Sequence, residues 1–176
     1  MEIELIYSPT DEDWMGVKNR ALVTVGKQAV TPPSTEWKRK ILRARHSPIR
    51  YLRYSFFLKG IPSWVSVHLV RHVHAQPYVR SQRNDRQDMY DRNKAPQDAP
   101  VDMIWDMNAE ELMTIANKRL CSQASPETRE VVKQMCALAE DATPELCGLL
   151  VPNCVRMNGR CEEMKPCGRW DKHDDE

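Results

Sequence analysis

The stretch VDMIWDMNAEELMTIANKRL, residues 101–120, joins a short apolar strand directly to an amphipathic helix. Residues 101–107 have the composition of a strand. The helix that follows has Asn108 as its N-cap residue and an acidic residue, Glu111, three positions later. The apolar positions of this helix share one face: Leu112, Ile115 and Ala116. We therefore place one strand and one helix here and assign the rest of the chain around them.

Strands and helices recur along the chain but do not alternate regularly. We predict strands over residues 2–7 and 50–60. Four further helices are predicted from their cap residues and apolar spacing: one after Thr10, which forms a capping box with Asp13, one after Ser34 or Thr35, one over residues 125–142, and a short one from Thr143 and Pro144. Because there is no regular β–α–β alternation, the sequence predicts an α+β fold.

Two segments are harder to assign from the pattern alone. Residues 62–73, PSWVSVHLVRHV, have apolar residues at alternate positions, as a strand would. However, Pro62 at a first helical position and the length of the segment favour a helix. Residues 83–100 are polar, contain two prolines and are predicted to form a surface loop.

The composition suits one domain with a tail. A chain of 176 residues with 41% hydrophobic content is long enough to bury one sizeable core. We assign residues 1–146 to the α+β domain and residues 147–176 to a cysteine-rich C-terminal tail. The net charge of +1 provides no overall attraction to polyanions, so nucleic acid is not expected as a partner.

The location expected from the sequence is the cytoplasm. The N-terminal residues MEIELIYSPTDED have neither the basic nor the apolar segment of a secretion signal. No apolar run approaches the length of a membrane span, so no membrane partner is expected.

Six cysteines are present, and four of them cluster late in the chain. Cys121 and Cys136 fall in helix-like segments and are interpreted as small buried apolar residues. The late cysteines could bind zinc as a set, although no CxxC pair occurs; they are Cys147, Cys154, Cys161 and Cys167. The alternative is that these four are reduced thiols packed in a bent tail, and on that interpretation the protein has no metal site.

The densest polar stretch is RHVHAQPYVRSQRNDR, residues 71–86. An arginine side chain presents a planar fork of donors that matches phosphate or carboxylate oxygens. In an extended segment Ser81 and Arg83 point the same way and could form a phosphate pocket. A solvated basic loop would have the same composition. His68 and His72 are spaced to share one helical face, as metal ligands do, but no acidic residue stands near them.

Other common nucleotide-binding and hydrolytic motifs are absent from the sequence. There is no GxGxxG, no GxxxxGK[ST] and no GxSxG. This argues against a Rossmann dehydrogenase, a P-loop nucleoside triphosphatase and an α/β-hydrolase.

The spacing within the basic stretch resembles the signature of the flavin-dependent thymidylate synthases, the ThyX family. The family has Arg-His-Arg, seven residues and a serine; here residues 71–73 read RHV, and seven residues separate them from Ser81. The family continues as Ser-x-Arg, and this chain has Ser81, Gln82 and Arg83. Residues 46–72 also follow the family plan of a histidine turn, a strand and a helix.

The resemblance continues downstream of the basic stretch. Residues 105–132 match the family's strand, Asn-Ala pair, helix and second helix, with Asn108 and Arg119 at the key positions. The resemblance implies a single ThyX-like domain with a central, mainly antiparallel sheet packed by helices. It also implies a homo-oligomer, a tetramer in the family, with sites shared between chains.

The family converts dUMP to dTMP. Reduced FAD supplies the reducing equivalent, methylenetetrahydrofolate supplies the carbon, and NADPH recharges the flavin. By resemblance, the residues that would bind FAD are His46, Arg71, His72 and Asn108. The residues that would bind the nucleotide are His68, Arg71, Ser81, Gln82, Arg83 and Arg119. Arg119 would also be catalytic, because it would stabilise charge on the uracil ring.

The chain departs from the family pattern at four positions. Val73 replaces the third signature residue, Val79 replaces a glutamate, His68 replaces a glutamine, and Glu110 replaces an arginine. The segment between Arg83 and Asn108 is also shorter than in the family. Two functions therefore remain open. The first is a divergent, shortened ThyX-like enzyme, and the second is a non-catalytic protein of the same fold that binds nucleotides or nucleic acid.

Overall fold

The computed structural model describes residues 1–86 and 91–170. Its sheet consists of β1 (Glu2–Tyr7), β2 (Arg53–Pro62), β3 (Gln76–Val79) and β4 (Pro100–Asn108). The strands lie in the order β1-β2-β4-β3, and every neighbouring pair is antiparallel. The α+β class and the antiparallel sheet are thus confirmed.

The α-helices are α1 (Asp11–Val23), α2 (Thr35–Arg43), α3 (Ser63–Leu69), α4 (Ala109–Arg119), α5 (Pro126–Ala142) and the short α6 (Asn153–Arg156). Short 3-10 helices cover Ser47–Tyr51, Asn84–Arg86 and Pro144–Leu146. The predicted caps are present: side chains of Thr10, Ser34, Asn108 and Ser125 accept hydrogen bonds from the first helical turns. Among the described residues, no helix is long and apolar enough to span a membrane.

The core lies against one face of the sheet. Along β4, Val101, Met103, Trp105 and Met107 are buried, and the residues between them are partly exposed. This alternation follows from the two-residue period of a strand. The other sheet face carries partly exposed side chains such as Ser55 and Asp106, which are hydrogen-bonded to each other. The helices cover the core face, where α5 packs against β1 and β2.

The sequence did not predict strand β3. Pro77 argues against a strand because proline cannot donate to a neighbouring strand. In the structure Pro77 pairs with Trp105, and β3 lies at the edge of the sheet, where proline is tolerated.

The segment before β3 corrects a second expectation. Helix α3 forms as the sequence favoured, but it ends at Leu69. His68 and His72 therefore do not share a helical face, since His72 lies in the turns that lead to β3. The loop predicted over residues 83–100 includes a 3-10 helix, and residues 87–90 lie outside the described residues.

The packing of the core continues from the predicted α+β domain into the first residues of the predicted tail. Leu146 and Leu150 both belong to the core. The side chain of Asn117 donates to the carbonyl of Val151 over 2.6 Å. The division at residue 146 remains a prediction from the sequence.

A buried hydroxyl pair joins the sheet to the end of α5. The hydroxyl of Tyr54 donates to Oγ1 of Thr143 over 3.0 Å, and both residues are buried. Burial raises the pKa of Tyr54. Tyr54→Phe removes the donor and leaves the threonine hydroxyl without this partner in an apolar environment. We expect the free energy of unfolding to fall by about 1–3 kcal/mol in urea denaturation.

Tyr78→Phe is the matched control, because the Tyr78 side chain is 62% exposed. We expect its free energy of unfolding to change by no more than about 0.5 kcal/mol. Equal losses in the two variants would contradict the importance of the buried pair.

Candidate functional site

The guanidinium of Arg119 connects α4 to the signature segment. Arg119 is the last residue of α4, where a cation is favoured by the helix dipole. Its Nε donates to Nε2 of His72 over 2.9 Å, and its Nη2 donates to the carbonyl of His68 over 2.8 Å. Two histidines that do not share a helix thus meet at one arginine. His72 contributes its ring and His68 its backbone carbonyl.

This contact determines which ring nitrogen of His72 accepts a hydrogen bond. An arginine N–H group can only donate, so Nε2 of His72 must accept and its proton resides on Nδ1. That nitrogen lies 3.3 Å from Oε1 of Glu111. The His72 ring also packs edge-on against Trp105, with 6.1 Å between ring centroids. A neutral imidazole therefore separates the carboxylate from the guanidinium.

Burial gives this cluster its electrostatic character. The side chains of His72 and Glu111 are 10% and 6% exposed. Burial lowers the pKa of Arg119, and the positive charge of nearby Arg71 lowers it further. Arg71 is exposed, and its effect on the pKa of Arg119 places the two cations close enough to repel each other. An anion placed near both would relieve that repulsion.

Two cavities adjoin each other at the N-terminal end of α4. The first has a volume of about 450 Å³ and the second about 590 Å³, and His74 lines both. The other residues that line the first are Arg45, Arg50, Asn108, Glu110, Glu111 and Thr114. The second is lined by residues of all four strands, among them Tyr7, Arg53, Asp106 and Tyr78.

Asn108 has a structural role as well as a place in the first cavity. Its Oδ1 accepts from the backbone N–H of Glu111 over 2.9 Å, which caps α4. Glu110, which replaces a family arginine, is hydrogen-bonded to Nε of Arg50. A cation of this cavity therefore already has an acidic partner.

The residues predicted to hold a phosphate lie apart from these cavities. Neither cavity is lined by Ser81 or Arg83. Arg83 forms a double hydrogen bond to Asp85, with Nε to Oδ1 at 2.9 Å and Nη2 to Oδ2 at 2.6 Å. The Ser81 hydroxyl accepts from the backbone N–H of Arg83, and Gln82 donates to Ser63. The hydrogen bond to Asp85 raises the pKa of Arg83.

The remaining predicted residues occupy the edges of the site. His46 is exposed and precedes the 3-10 helix Ser47–Tyr51. The ring of His68 lies edge-on to Trp64, with centroids 5.4 Å apart. The structure thus brings His68, His72 and Arg119 together, with Arg71 near enough to affect the last of these.

Several residues of the two cavities were not predicted from the sequence to bind a ligand, among them Arg45, Arg50 and His74. Arg45 has a left-handed backbone conformation, with φ of 51°, and its guanidinium donates to Asn117. The basic run RARHSPIR, residues 43–50, carried a signal for the two arginines, since it places several cations before a strand that enters the sheet.

The proposed zinc ligands of the tail do not come together as the sequence grouped them. Cys147 is exposed, whereas Cys154 is buried on α6. Within residues 1–86 and 91–170, no three histidine, cysteine or acidic side chains form a ready metal-binding group. Cys136 is buried in α5, which raises the pKa of its thiol to about 12, so it is a core residue as expected.

The geometry can be compared with solved structures. The ThyX protein of Helicobacter pylori, complexed with FAD and dUMP, aligns with a TM-score of 0.68 at 16% identity, over 86% of this chain and 100% of that one. The UMP/dUMP methylase PolB of Streptomyces cacaoi, bound with 5-Br dUMP, aligns with a TM-score of 0.66 at 17% identity, over 84% of this chain and 93% of that one. The chain is therefore an α+β protein with the ThyX fold.

The sequence itself supports the same resemblance over part of its length. A family model described as thymidylate synthase complementing protein matches residues 91–145. That range contains strand β4 and helices α4 and α5. No curated protein matches the chain. The resemblance to the flavin-dependent thymidylate synthases that the signature suggested is thus confirmed.

The His72 ring lies between the charged side chains of Glu111 and Arg119, so we expect its replacement to lower the stability of the fold. His72→Leu removes the acceptor of Arg119 and the group that faces Glu111, so both charges lose a partner. We expect the free energy of unfolding to fall by about 1–3 kcal/mol, measured by urea denaturation. His72→Gln provides an acceptor and a donor on a chain of similar reach, and we expect it to lose less.

The control is His74→Leu, two residues further along and exposed. Its effect on the free energy of unfolding should be small, because it lies outside the Glu111–His72–Arg119 cluster. If His72→Leu were no less stable than His74→Leu, the cluster would not stabilise the fold.

Proposed function

We propose that this protein is a flavin-dependent methylase that converts dUMP to dTMP. The observation that carries the proposal is the Glu111–His72–Arg119 cluster, because it unites a signature histidine with the arginine that the resemblance places on the uracil ring. The ThyX fold and the family match over residues 91–145 support it. A related UMP/dUMP methylase is the nearest variant of the same proposal.

In this proposal FAD binds beside the first cavity. Bound FAD would carry the reducing equivalent, methylenetetrahydrofolate would supply the carbon, and NADPH would reduce the flavin again. The donor set fits a phosphate-bearing cofactor, because Arg45, Arg50 and Asn108 line this cavity and Arg71 lies near Arg119. His46 and His72 complete the proposed FAD-binding residues; because both ring nitrogens of His72 face Arg119 and Glu111, its part would be to hold Arg119 in position.

Arg119 is the proposed catalytic residue. Its contacts with His72 and the carbonyl of His68 use two of its N–H groups and fix the plane of the guanidinium. The remaining N–H groups would donate to a uracil carbonyl. A fixed cation in a partly buried position stabilises developing negative charge without having to reorient.

Ser81, Gln82 and Arg83 are the proposed phosphate-binding residues. The Arg83 guanidinium presents the geometry that a phosphate requires, because it already holds a carboxylate in a double hydrogen bond. In this proposal the phosphate of dUMP takes the place of Asp85. Binding therefore competes with an internal ion pair.

The separation of the two groups of residues supports a shared site. Asn108 lines the first cavity, whereas Ser81 and Arg83 line neither of the two. We propose that a complete site combines Asn108 of one chain with Ser81 and Arg83 of another, in the homotetramer that the resemblance implies. The proposal keeps the cytoplasmic location expected from the sequence.

One observation favours a second function. Arg50 and Arg83 are each paired with an acidic side chain, Glu110 and Asp85. Glu110 also stands where the family has an arginine, so one cation of the family's site is missing while other donors remain. A non-catalytic nucleotide-binding protein of the same fold is therefore the second candidate, and it is distinguished by an absence of dTMP formation.

The flavin is the first part of the proposal to test. We expect the full chain to purify with FAD, identified by its absorption spectrum and by chromatography of the released cofactor. Arg71→Ala should lower the FAD content at least about tenfold, because a charge-assisted hydrogen bond to phosphate is lost. The control is Arg39→Ala, an exposed arginine of α2 that lines neither cavity and was not predicted to bind FAD. Equal FAD content in both variants would contradict the role of Arg71.

Because Arg83 is paired with Asp85, substitutions of these two residues should change the affinity for dUMP in opposite directions. Arg83→Ala should weaken dUMP binding about 10- to 150-fold in titration calorimetry. Asp85→Asn should strengthen it, because the neutral amide competes less with phosphate for the guanidinium. The matched control is Arg80→Ala, an exposed arginine 3.8 Å from Asp102, which should change affinity much less.

Two results would count against this role of Arg83. One is an equal loss of affinity in the Arg83 and Arg80 variants, and the other is weaker binding by Asp85→Asn. If the flavin-loaded protein bound neither dUMP nor UMP, the methylase proposal itself would fail.

A further inference from the structure

Four of the six cysteines line one small cavity at the C-terminal end of α4: Cys121, Cys154, Cys161 and Cys167. The cavity has a volume of about 20 Å³. That is room for roughly one atom, since a single water needs about 10–15 Å³ measured in this way. Cys147 is exposed and does not line it. The four cysteines around this cavity therefore include Cys121, whereas the set grouped from the sequence included Cys147.

We propose that these four thiols bind one zinc ion as a structural site. Zinc in structural sites is held by four ligands, and a set of four cysteine thiolates is one of its common arrangements. The cysteines come from three parts of the chain: the segment after α4, helix α6, and the coil that ends the described residues. A closed site of this kind leaves no open position for a substrate, so its role is to hold these parts together.

The coil that follows α6 explains why such a site is needed. Residues 159–170 contain no buried side chain and no α-helix or strand. The contacts that hold them are polar, for example Gln123 to the carbonyl of Lys165 at 2.8 Å and Lys118 to Glu163 at 3.7 Å. Segments that cannot bury an apolar core are commonly stabilised by a metal or by a disulfide.

The side chains around the cavity carry charges of both signs. Zinc with four thiolates has a net charge of about −2. Arg169 lines the same cavity and can offset part of this charge. Glu162 and Glu163 also line it, but Glu162 accepts a hydrogen bond from Asn153 and Glu163 lies 3.7 Å from Lys118. Asn117 and Gln123 also line it; the amide of each donates to one backbone carbonyl, of Val151 and Lys165, and has a second N–H that could donate to a sulfur atom.

Zinc binding requires the thiols to move closer to one another. In the described parts of the chain no group of three potential ligands is already arranged around a metal position. Cys121 follows α4 directly, and the carbonyl of Cys154 on α6 accepts from Gly159 over 2.8 Å. The coil that carries Cys161 and Cys167 has no helix, strand or buried side chain, and its contacts with the rest of the chain include the polar ones from Gln123 and Lys118. We therefore assign the movement to the coil, which closes on two anchored thiols.

The site is independent of the proposed methylase activity. It would fix the coil to the end of α4, two residues beyond Arg119. The quantities that test it are metal content and thermal stability, neither of which depends on bound flavin or nucleotide.

The experiment measures zinc in the full chain, purified without added metal or chelator, by plasma mass spectrometry. We expect about one zinc per chain. Cys121→Ser should lower the zinc content at least about fivefold, since ligand loss strongly weakens a four-thiolate site. Cys147→Ser is the matched control and should retain the zinc of the unmodified protein. This pair also separates the proposed set from the one that the sequence grouped.

A second measurement covers the case in which Cys121→Ser does not fold. The unmodified protein is treated with a thiol-modifying mercurial, and released zinc is followed with a chromogenic indicator. Removing the metal with a chelator should lower the melting temperature, and zinc, but not magnesium, should restore it. All six thiols should be free in denatured, chelated protein.

Three results would overturn the proposal. The first is less than about a tenth of a zinc per chain in the unmodified protein. The second is zinc loss in Cys147→Ser but not in Cys121→Ser. The third is a deficit of free thiols after denaturation, which would show that the cavity holds a disulfide instead.

Discussion

The hydrogen bond from Arg119 to His72 joins the two parts of the chain on which the candidate site depends. It fixes the turn after α3 against the end of α4, and the carbonyl of His68 adds a second bond to the same guanidinium. Glu111 is buried on the other side of the imidazole. A buried carboxylate and a partly buried guanidinium are costly unless the groups between them are satisfied. Because His72 partners both charged groups, it favours the one arrangement of this region in which all three side chains meet.

The local parts of the fold could be predicted because their causes are local. A cap such as Asn108 contacts a residue three positions away, and the alternation along β4 is visible in its own residues. Strand β3 could not be predicted in this way. Its place is determined by pairing with β4, a strand more than twenty residues later, and by an edge position that makes Pro77 acceptable.

The candidate site was predictable to a smaller extent, for the same reason. The resemblance identified His72 from the signature spacing and Arg119 from the downstream helix, but their hydrogen bond exists only because α4 and the turn after α3 meet. Spacing also grouped His68 with His72 on a helix that ends too early for both. For the cysteines, proximity in sequence favoured Cys147, whereas the fold brings Cys121 to the others from more than thirty residues away.

The arginines in and around the signature segment differ in their hydrogen-bond and ion-pair partners. Arg50, Arg80 and Arg83 each lie beside an acidic side chain, so an anion must compete for them. In the cluster with His72, Arg119 is held by a neutral ring and a backbone carbonyl. Its charge is therefore oriented without being neutralised by these contacts. In the proposed enzyme an anionic ligand would bind by displacing such ion pairs, whereas Arg119 would keep its orientation. Ligand binding and stabilisation of the charge that develops in the reaction would then depend on different arginines.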